Sequence, residues 1–288
     1  MSPVVAVIAP GAMGAAVGKR LVENGLTVLT SLAGRSEETR ARAKAAGMSA
    51  AKDDDIARAD FILSILPPGD ALSLAQHFVP ALTASNALTA SNAKPIYVDC
   101  NAINPKTVER VAAAIAPTGC PFADAGIIGQ PPKPGDDGPR IYASGAAAPR
   151  FASLRDYGLD IRVLAGEMSA ASALKMSYAG ITKGTQAIGA AMMLAATRAG
   201  SADALMAELQ LSQKEMFPWL RRQLTMMPPK AYRWVAEMQE IAGFVGEDPA
   251  ARELYEGAAE FYERFAEDFA AGGKEAKTLA AFLAKTSS

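Results

Sequence analysis

The chain has 288 residues, half of them hydrophobic and a fifth charged, with a formal net charge of -1 and one histidine. Such a composition is that of a globular protein large enough to bury a core without disulfide staples. The charge balance gives no electrostatic case for nucleic acid or an anionic membrane as partner, and one histidine excludes a multi-histidine metal centre, so no metal is expected.

Val4 to Ile8 is a β-branched run that reads as a buried strand, followed by a helix from Gly11 to Glu23. Thr27 to Leu32 reads as a second strand and Glu37 to Ala46 as a helix. Phe61 to Leu66 reads as a strand stopped by Pro67-Pro68, and His77 as a structural residue on a helix. Ser85 to Pro95 reads as a surface loop, Ile96 to Cys100 as a strand and Pro105 to Ala116 as a helix. Phe122 to Ala125 and Ile141 to Ser144 are further strands, with a Pro/Gly-rich loop from Gln130 to Pro139 between them. This alternation predicts a parallel sheet covered by helices on both faces.

From Ser169 onward no strand pattern remains. Ser169 to about Arg198 reads as one helix on the order of 45 Å long, enough to link two domains. Asp248-Pro249 supplies an N-cap and a proline at the first helical position, ahead of an apolar stripe of Leu254, Phe261, Phe265 and Phe269 that suits a core or a subunit interface. Cys100 and Cys120 form no CxxC pair, no signal peptide opens the chain, and the longest apolar run, Ile188 to Ala196, is too short to span a bilayer. A cytoplasmic protein with reduced thiols is the expectation.

The strongest local signal is Ala9-Pro10-Gly11-Ala12-Met13-Gly14, between the first strand and its helix. In a dinucleotide-binding G-x-G-x-x-G turn, the second glycine lets backbone approach the pyrophosphate and the third lets helix pack on strand. Gly11 and Gly14 fill those slots and Ala9 replaces the first glycine, so the match is partial. The pyrophosphate would lie on the amides of Ala12, Met13 and Gly14 at the helix N-terminus. An NAD-specific turn places an acid after the second strand to hold the ribose hydroxyl. Here the segment reads Ser31-Leu-Ala-Gly-Arg35-Ser36, with Arg40 a turn further on, which suits a 2′-phosphate and predicts NADP over NAD. Leu66-Pro67 and Asn101 are expected as the nicotinamide-side wall, because ligands of open α/β sheets bind beyond the carboxyl ends of the strands.

Four segments resemble the β-hydroxyacid dehydrogenases, the group of 3-hydroxyisobutyrate and 6-phosphogluconate dehydrogenases: Gly11–Gly14, Asp99 to Pro105, Asp124 to Gly129, and Gly166 to Lys175. The resemblance implies a Rossmann domain over residues 1–165 and a helical substrate and dimerisation domain over 166–288, in an α/β protein joined to an all-α domain by a long helix. It also implies that Lys175, nine residues after Gly166, is the general acid and base. Desolvation of a lysine in a partly buried cleft makes it a usable proton donor near neutrality. The chain departs from the family pattern at several positions. The family asparagine four residues after the lysine is Ala179, leaving Tyr178 and Thr182 as candidate donors. The Ser-Gly-Gly substrate segment reads Ile128-Gly129-Gln130, and the lysine of a C-terminal pair is Gln239, with Trp234 a candidate pocket residue. These changes predict a bulkier or less acidic substrate than 3-hydroxyisobutyrate. The Asp124 segment is also similar to imine reductases, so imine or enamine reduction is the alternative chemistry. A non-catalytic NADP-binding regulator is the alternative outside enzymes, and a homodimer is the expected assembly.

Overall fold

The computed structural model describes residues 2–84, 94–133 and 135–285. Most of the expected Ser85–Pro95 loop therefore lies outside the described residues, as does Pro134 of the Gln130–Pro139 loop, whose other residues are in turns and irregular backbone. The chain divides into two compact units, Met1–Met176 and Ser177–Ser288. The division falls inside a helix, later than the boundary at 165/166 read from the resemblance, because the first turns of that helix pack on the sheet.

Among the described residues of the first unit, the strands form one eight-stranded sheet in the order β3-β2-β1-β4-β5-β6-β7-β8. In chain order, β1 (Val4–Ile8), α1 (Ala12–Glu23), β2 (Thr27–Thr30), α2 (Glu37–Ala45), β3 (Ser49–Ala50), α3 (Asp53–Ile56), β4 (Phe61–Ser64) and α4 (Ala71–Ala84) make the first half. Then come β5 (Ile96–Asp99), α5 (Pro105–Ile115), β6 (Phe122–Ile128), β7 (Arg140–Ser144), α6 (Ala148–Phe151) and β8 (Asp160–Val163). Successive strand side chains point to opposite faces, so each strand feeds two cores. Val5, Val7, Leu63 and Val98 pack with Val17, Leu21, Ala43 and Phe151 on one face. Ala6, Ile8, Ile62 and Tyr97 pack with Phe78, Leu82, Val108 and Val111 on the other. All residues of β4 and β5 are buried, which is why these strands read as continuous apolar runs without alternation.

Two features depart from the sequence reading. The sheet is not wholly parallel, since β7 runs antiparallel to β6 from Asp124↔Ser144 to Ile128↔Arg140. Among the described residues no helix separates them, and a parallel return needs a crossover. The strands β3 and β8 were not anticipated. The first is an exposed Ser-Ala pair, and in the second Arg162 and Asp160 are bonded to each other at 2.9 Å, so neither carries an apolar pattern. His77 lies on α4 and is bonded through Nε2 to Asp53 at 2.8 Å.

The helix α7 (Ala170–Arg198) has 29 residues and begins in the first unit. The second unit continues with α8 (Ala202–Ser212), α9 (Met216–Met226), α10 (Ala231–Phe244), α11 (Pro249–Ala270) and α12 (Lys274–Leu283). Asp248 caps α11 by accepting from the amides of Ala250 and Ala251, as its sequence predicted. Within the apolar stripe Phe265 is buried with Phe261 stacked on it, while Leu254 and Phe269 are 51% and 44% exposed and leave part of the stripe unpacked. Inside this unit Lys183 pairs with Glu237 and lies 5.2 Å from the Trp234 ring centroid. No described helix is long and apolar enough to cross a membrane.

Candidate active site

Gly11 is the N-cap of α1, and no side chain caps that helix. The first intrahelical bond runs from the Ala15 amide to the Gly11 carbonyl, so the amides of Ala12, Met13 and Gly14 are the helix's unsatisfied donors. A Cβ at Gly11 would meet nothing within 4 Å, whereas a Cβ at Gly14 would lie 2.1 Å from the Ala9 carbonyl oxygen. Gly14 thus lets the helix sit on the end of β1, while the Cβ position at Gly11 is open. Helix-end amides facing open space at a positive dipole end fit a pyrophosphate. By contrast, α2, α5 and α11 are capped by their own Ser36, Asn104 and Asp248 side chains.

No acid stands at the end of β2. Thr30 is buried with its hydroxyl donating to the Val7 carbonyl, and the residues that follow lead to an exposed Arg35. Among the described residues the Arg35 guanidinium makes no ion pair, while Arg40 donates to the Arg35 carbonyl and lies 3.7 Å from Glu37. The Ser36 hydroxyl accepts from the Thr39 amide as the α2 cap. Of the three polar residues singled out here, Arg35 is the one whose side chain is uncommitted.

The turns after β1, β4 and β5 are tied together at the carboxyl edge of the sheet. The Ala9 amide donates to the Ile65 carbonyl at 3.2 Å. The Leu66 amide donates to Asn101 Oδ1 at 2.5 Å. Asn101 is 2% exposed, and its Nδ2 donates to Ser64 Oγ and to Asp99 Oδ2. Its amide is therefore occupied in fixing the Leu66-Pro67 turn, with Pro67 exposed beside it.

Lys175 lies on the same edge. Asp124 of β6 pairs with Asp99, the last residue of β5, so the stretch from Ala125 to Ile128 projects beyond the carboxyl end of β5. Lys175, half-buried, donates from Nζ to the Ile127 carbonyl in that stretch at 2.9 Å. The first turn of α7 is held to the same strand. The Ser172 amide donates to Asp124 Oδ2 and the Ser172 hydroxyl to Asp124 Oδ1, both at 2.7 Å. Ser144 Oγ accepts from the Ala171 amide and donates to the Met168 carbonyl. A Cβ at Gly126 would meet the Ala171 carbonyl oxygen at 2.9 Å and Lys175 Cβ at 3.0 Å, so the glycine sets how closely helix and strand approach. Ile128 is buried, while Gly129 and Gln130 are exposed at the strand end.

Burial pushes the Asp124 carboxyl up to about 6, opposed by the hydrogen bonds from Ser172 and Ser144. The folded chain holds that proton more tightly than the unfolded one. The stability linked to it is whole below the unfolded value of about 4 and is lost as pH rises through about 6. Thermal melts across this window should therefore show wild-type Tm falling with pH and Asp124→Asn falling less. Equal slopes would remove Asp124 as the source.

In the second unit Tyr178 is 46% exposed, and Thr182 donates its hydroxyl proton back to the Tyr178 carbonyl at 2.8 Å. Trp234 is half-buried between Lys183 and an edge-on Tyr262 ring at 5.2 Å, so its ring is already packed. The sequence reading assigned no role to Asp124, Gly126, Ser144 or Ser172. Asp124 and Gly126 were visible within one segment. Their partners on β7 and α7 are far off in the chain, and only the antiparallel return of β7 brings Ser144 to the group.

A doubly wound sheet with an open helix end after its first strand defines a dinucleotide-binding α/β protein. The chain belongs to the family described as the NAD binding domain of 6-phosphogluconate dehydrogenase, whose model matches residues 4–155, and so to the β-hydroxyacid dehydrogenase-like superfamily. A second model, a domain of unknown function (DUF1932), matches residues 196–265. A solved conserved protein of unknown function, described as structurally similar to 3-hydroxyacid dehydrogenases, is 29% identical with a TM-score of 0.68, over 94% of this chain and 99% of its own. The fold is also that of 3-hydroxyisobutyrate dehydrogenase from Mycobacterium tuberculosis, solved with L-serine (19% identity, TM-score 0.67, 98% and 99% coverage). It is shared by an imine reductase variant from Myxococcus stipitatus in complex with NAD+ (20% identity, TM-score 0.58, 98% and 100% coverage). These similarities support an oxidoreductase that uses a nicotinamide cofactor.

Proposed function

We propose that this protein is an NADP-preferring oxidoreductase that moves a hydride reversibly between NADPH and a small carbonyl or hydroxy compound. The observation that carries the proposal is the Lys175 amine held at the carboxyl edge of the sheet whose first turn presents open helix amides. When bound, the nicotinamide supplies or accepts the hydride. Ala12, Met13 and Gly14 bind the pyrophosphate through their amides, and Arg35 takes the 2′-phosphate. Lys175 gives its proton to the substrate oxygen during reduction and takes the hydroxyl proton during oxidation. Tyr178 serves as a second donor in preference to Thr182, whose hydroxyl is already spent on its own helix.

The buried Ile128 stands where the family has its substrate serine, which supports a substrate less acidic than 3-hydroxyisobutyrate. For the same reason imine reduction is the second reading. The exposed Leu254, Phe269 and Leu211 support a homodimer, to be checked by light scattering, and the buried free cysteines accord with a cytoplasmic setting.

Fluorescence titration with NADPH and NADH tests the cofactor assignment. Wild type should bind NADPH at least tenfold more tightly, about 1.4 kcal/mol, and Arg35→Ala should remove the preference. Equal affinities in wild type would return Arg35 to a solvated surface charge. Turnover is then sought with 3-hydroxyisobutyrate, L-serine and a cyclic imine. Tight NADPH binding with no turnover on a wide carbonyl and imine panel would favour a regulatory protein.

A further inference from the structure

The N-terminus of α7 is closed from inside the protein. The Ala170 amide donates to the Glu167 carbonyl, Ala171 to Ser144 Oγ and Ser172 to Asp124 Oδ2. Asp124 is 0% exposed, as are Ser144 and Ser172. A buried carboxylate on a helix N-terminus gains from the helix dipole and from hydrogen bonds to ionised oxygen, both stronger away from water. Lys175 follows Ser172 by one helical turn and therefore stands on the same face of α7. That face meets β6 twice, through the Asp124 carboxylate and through the Ile127 carbonyl that receives Lys175 Nζ. Gly126 lies between the two contacts with no room for a side chain.

We propose that Asp124 and Ser172 are positioning residues for Lys175: together they clamp the first turn of α7 onto β6 and so fix the amine against the Ile127 carbonyl at the sheet edge. The proposal rests on the reading of Lys175 as the proton donor for its importance, though not for its test. Neither Asp124 nor Ser172 reaches the open end of the site, so neither is a catalytic residue. With the clamp closed, the amine has one location, which spares a reacting group the search for its geometry. With the clamp open, the turn frays and the amine is released to solvent, while the nucleotide turn of Gly11 to Gly14, on α1, is untouched.

The test reads Lys175 directly. The full chain is labelled with a trace of acetic anhydride, and acetylation of Lys175 is measured by peptide mass spectrometry against Lys19, an exposed lysine on α1. In wild type Lys175 should label slowly relative to Lys19. In Ser172→Ala, which keeps a good helix former, the ratio should rise about fivefold, the equivalent of losing one ~1 kcal/mol hydrogen bond. Asp124→Ala should raise it further, because it removes both contacts to Ser172. Ser172→Thr, which retains the hydroxyl, should restore the wild-type ratio. NADPH affinity should be the same in all four proteins. The proposal is overturned if the Lys175 ratio in Ser172→Ala equals that of wild type, or if Ser172→Thr labels like Ser172→Ala. It is also overturned if reference lysines across the chain rise together, as general loosening would produce. These readouts do not depend on turnover. Loss of the catalytic reading of Lys175 would appear separately, as full activity in a Lys175 variant.

Discussion

Gly11→Val is expected to leave the chain folded and to weaken NADPH binding by about 10²–10⁴-fold. The backbone at Gly11 has φ -68° and ψ -170°, an extended conformation that any residue adopts, and its Cβ position is empty to 4 Å. The cost to the fold is limited to a poorer N-cap, up to ~1 kcal/mol. The side chain would stand over the Ala12, Met13 and Gly14 amides and keep the pyrophosphate from them. Two lost charge-assisted hydrogen bonds at ~1.5–3 kcal/mol each account for the change in affinity. Gly14→Ala should behave in the opposite way. Its Cβ collides with backbone, the Ala9 carbonyl oxygen at 2.1 Å, so α1 must shift from β1 and stability itself falls, by at least ~1–3 kcal/mol. Melts and nucleotide titration on the pair separate the two roles. If Gly11→Val binds NADPH as wild type does, the pyrophosphate does not lie on α1.

Lys175→Met is expected to lower kcat by about 10²–10⁴-fold, the usual worth of a positioned general acid, with NADPH affinity unchanged. Methionine keeps most of the aliphatic stem and removes the proton and the bond to the Ile127 carbonyl. The measurement is steady-state turnover on whichever compound of the carbonyl and imine panel the wild type accepts. Retained activity would assign proton transfer elsewhere, with Tyr178 the first candidate because its phenol is exposed on the same helix. A pH–rate profile would then report the substituted group.

The departures from expectation have local causes. Gly11 and Gly14 belong to a short turn pattern whose geometry depends on neighbours in the chain, whereas Lys175 was singled out by its spacing from Gly166 in the family resemblance. Ser36 and Asn101 were legible as positions, but their side chains proved to be engaged, one as a helix cap and the other as a pin between turns. Hydrogen-bond capacity is shared among all nearby donors, and the sequence does not state who the neighbours are. Trp234 illustrates the same point, since its ring packs against Lys183 and Tyr262 from other helices.

The sequence by itself determined the alternating strands and helices, the nucleotide turn with its missing ribose acid, the long helix and the proline-capped start of α11. Each follows from periodicity or from capping and turn chemistry acting within a few residues. Only the tertiary structure decided that β7 turns back along β6, that Asp124 and Ser144 meet at the start of α7, and that Lys175 is held by the Ile127 carbonyl. Those contacts join residues 12 to 48 positions apart, and the ones at the start of α7 exist because a buried helix end must find partners for its amides wherever the packed sheet supplies them.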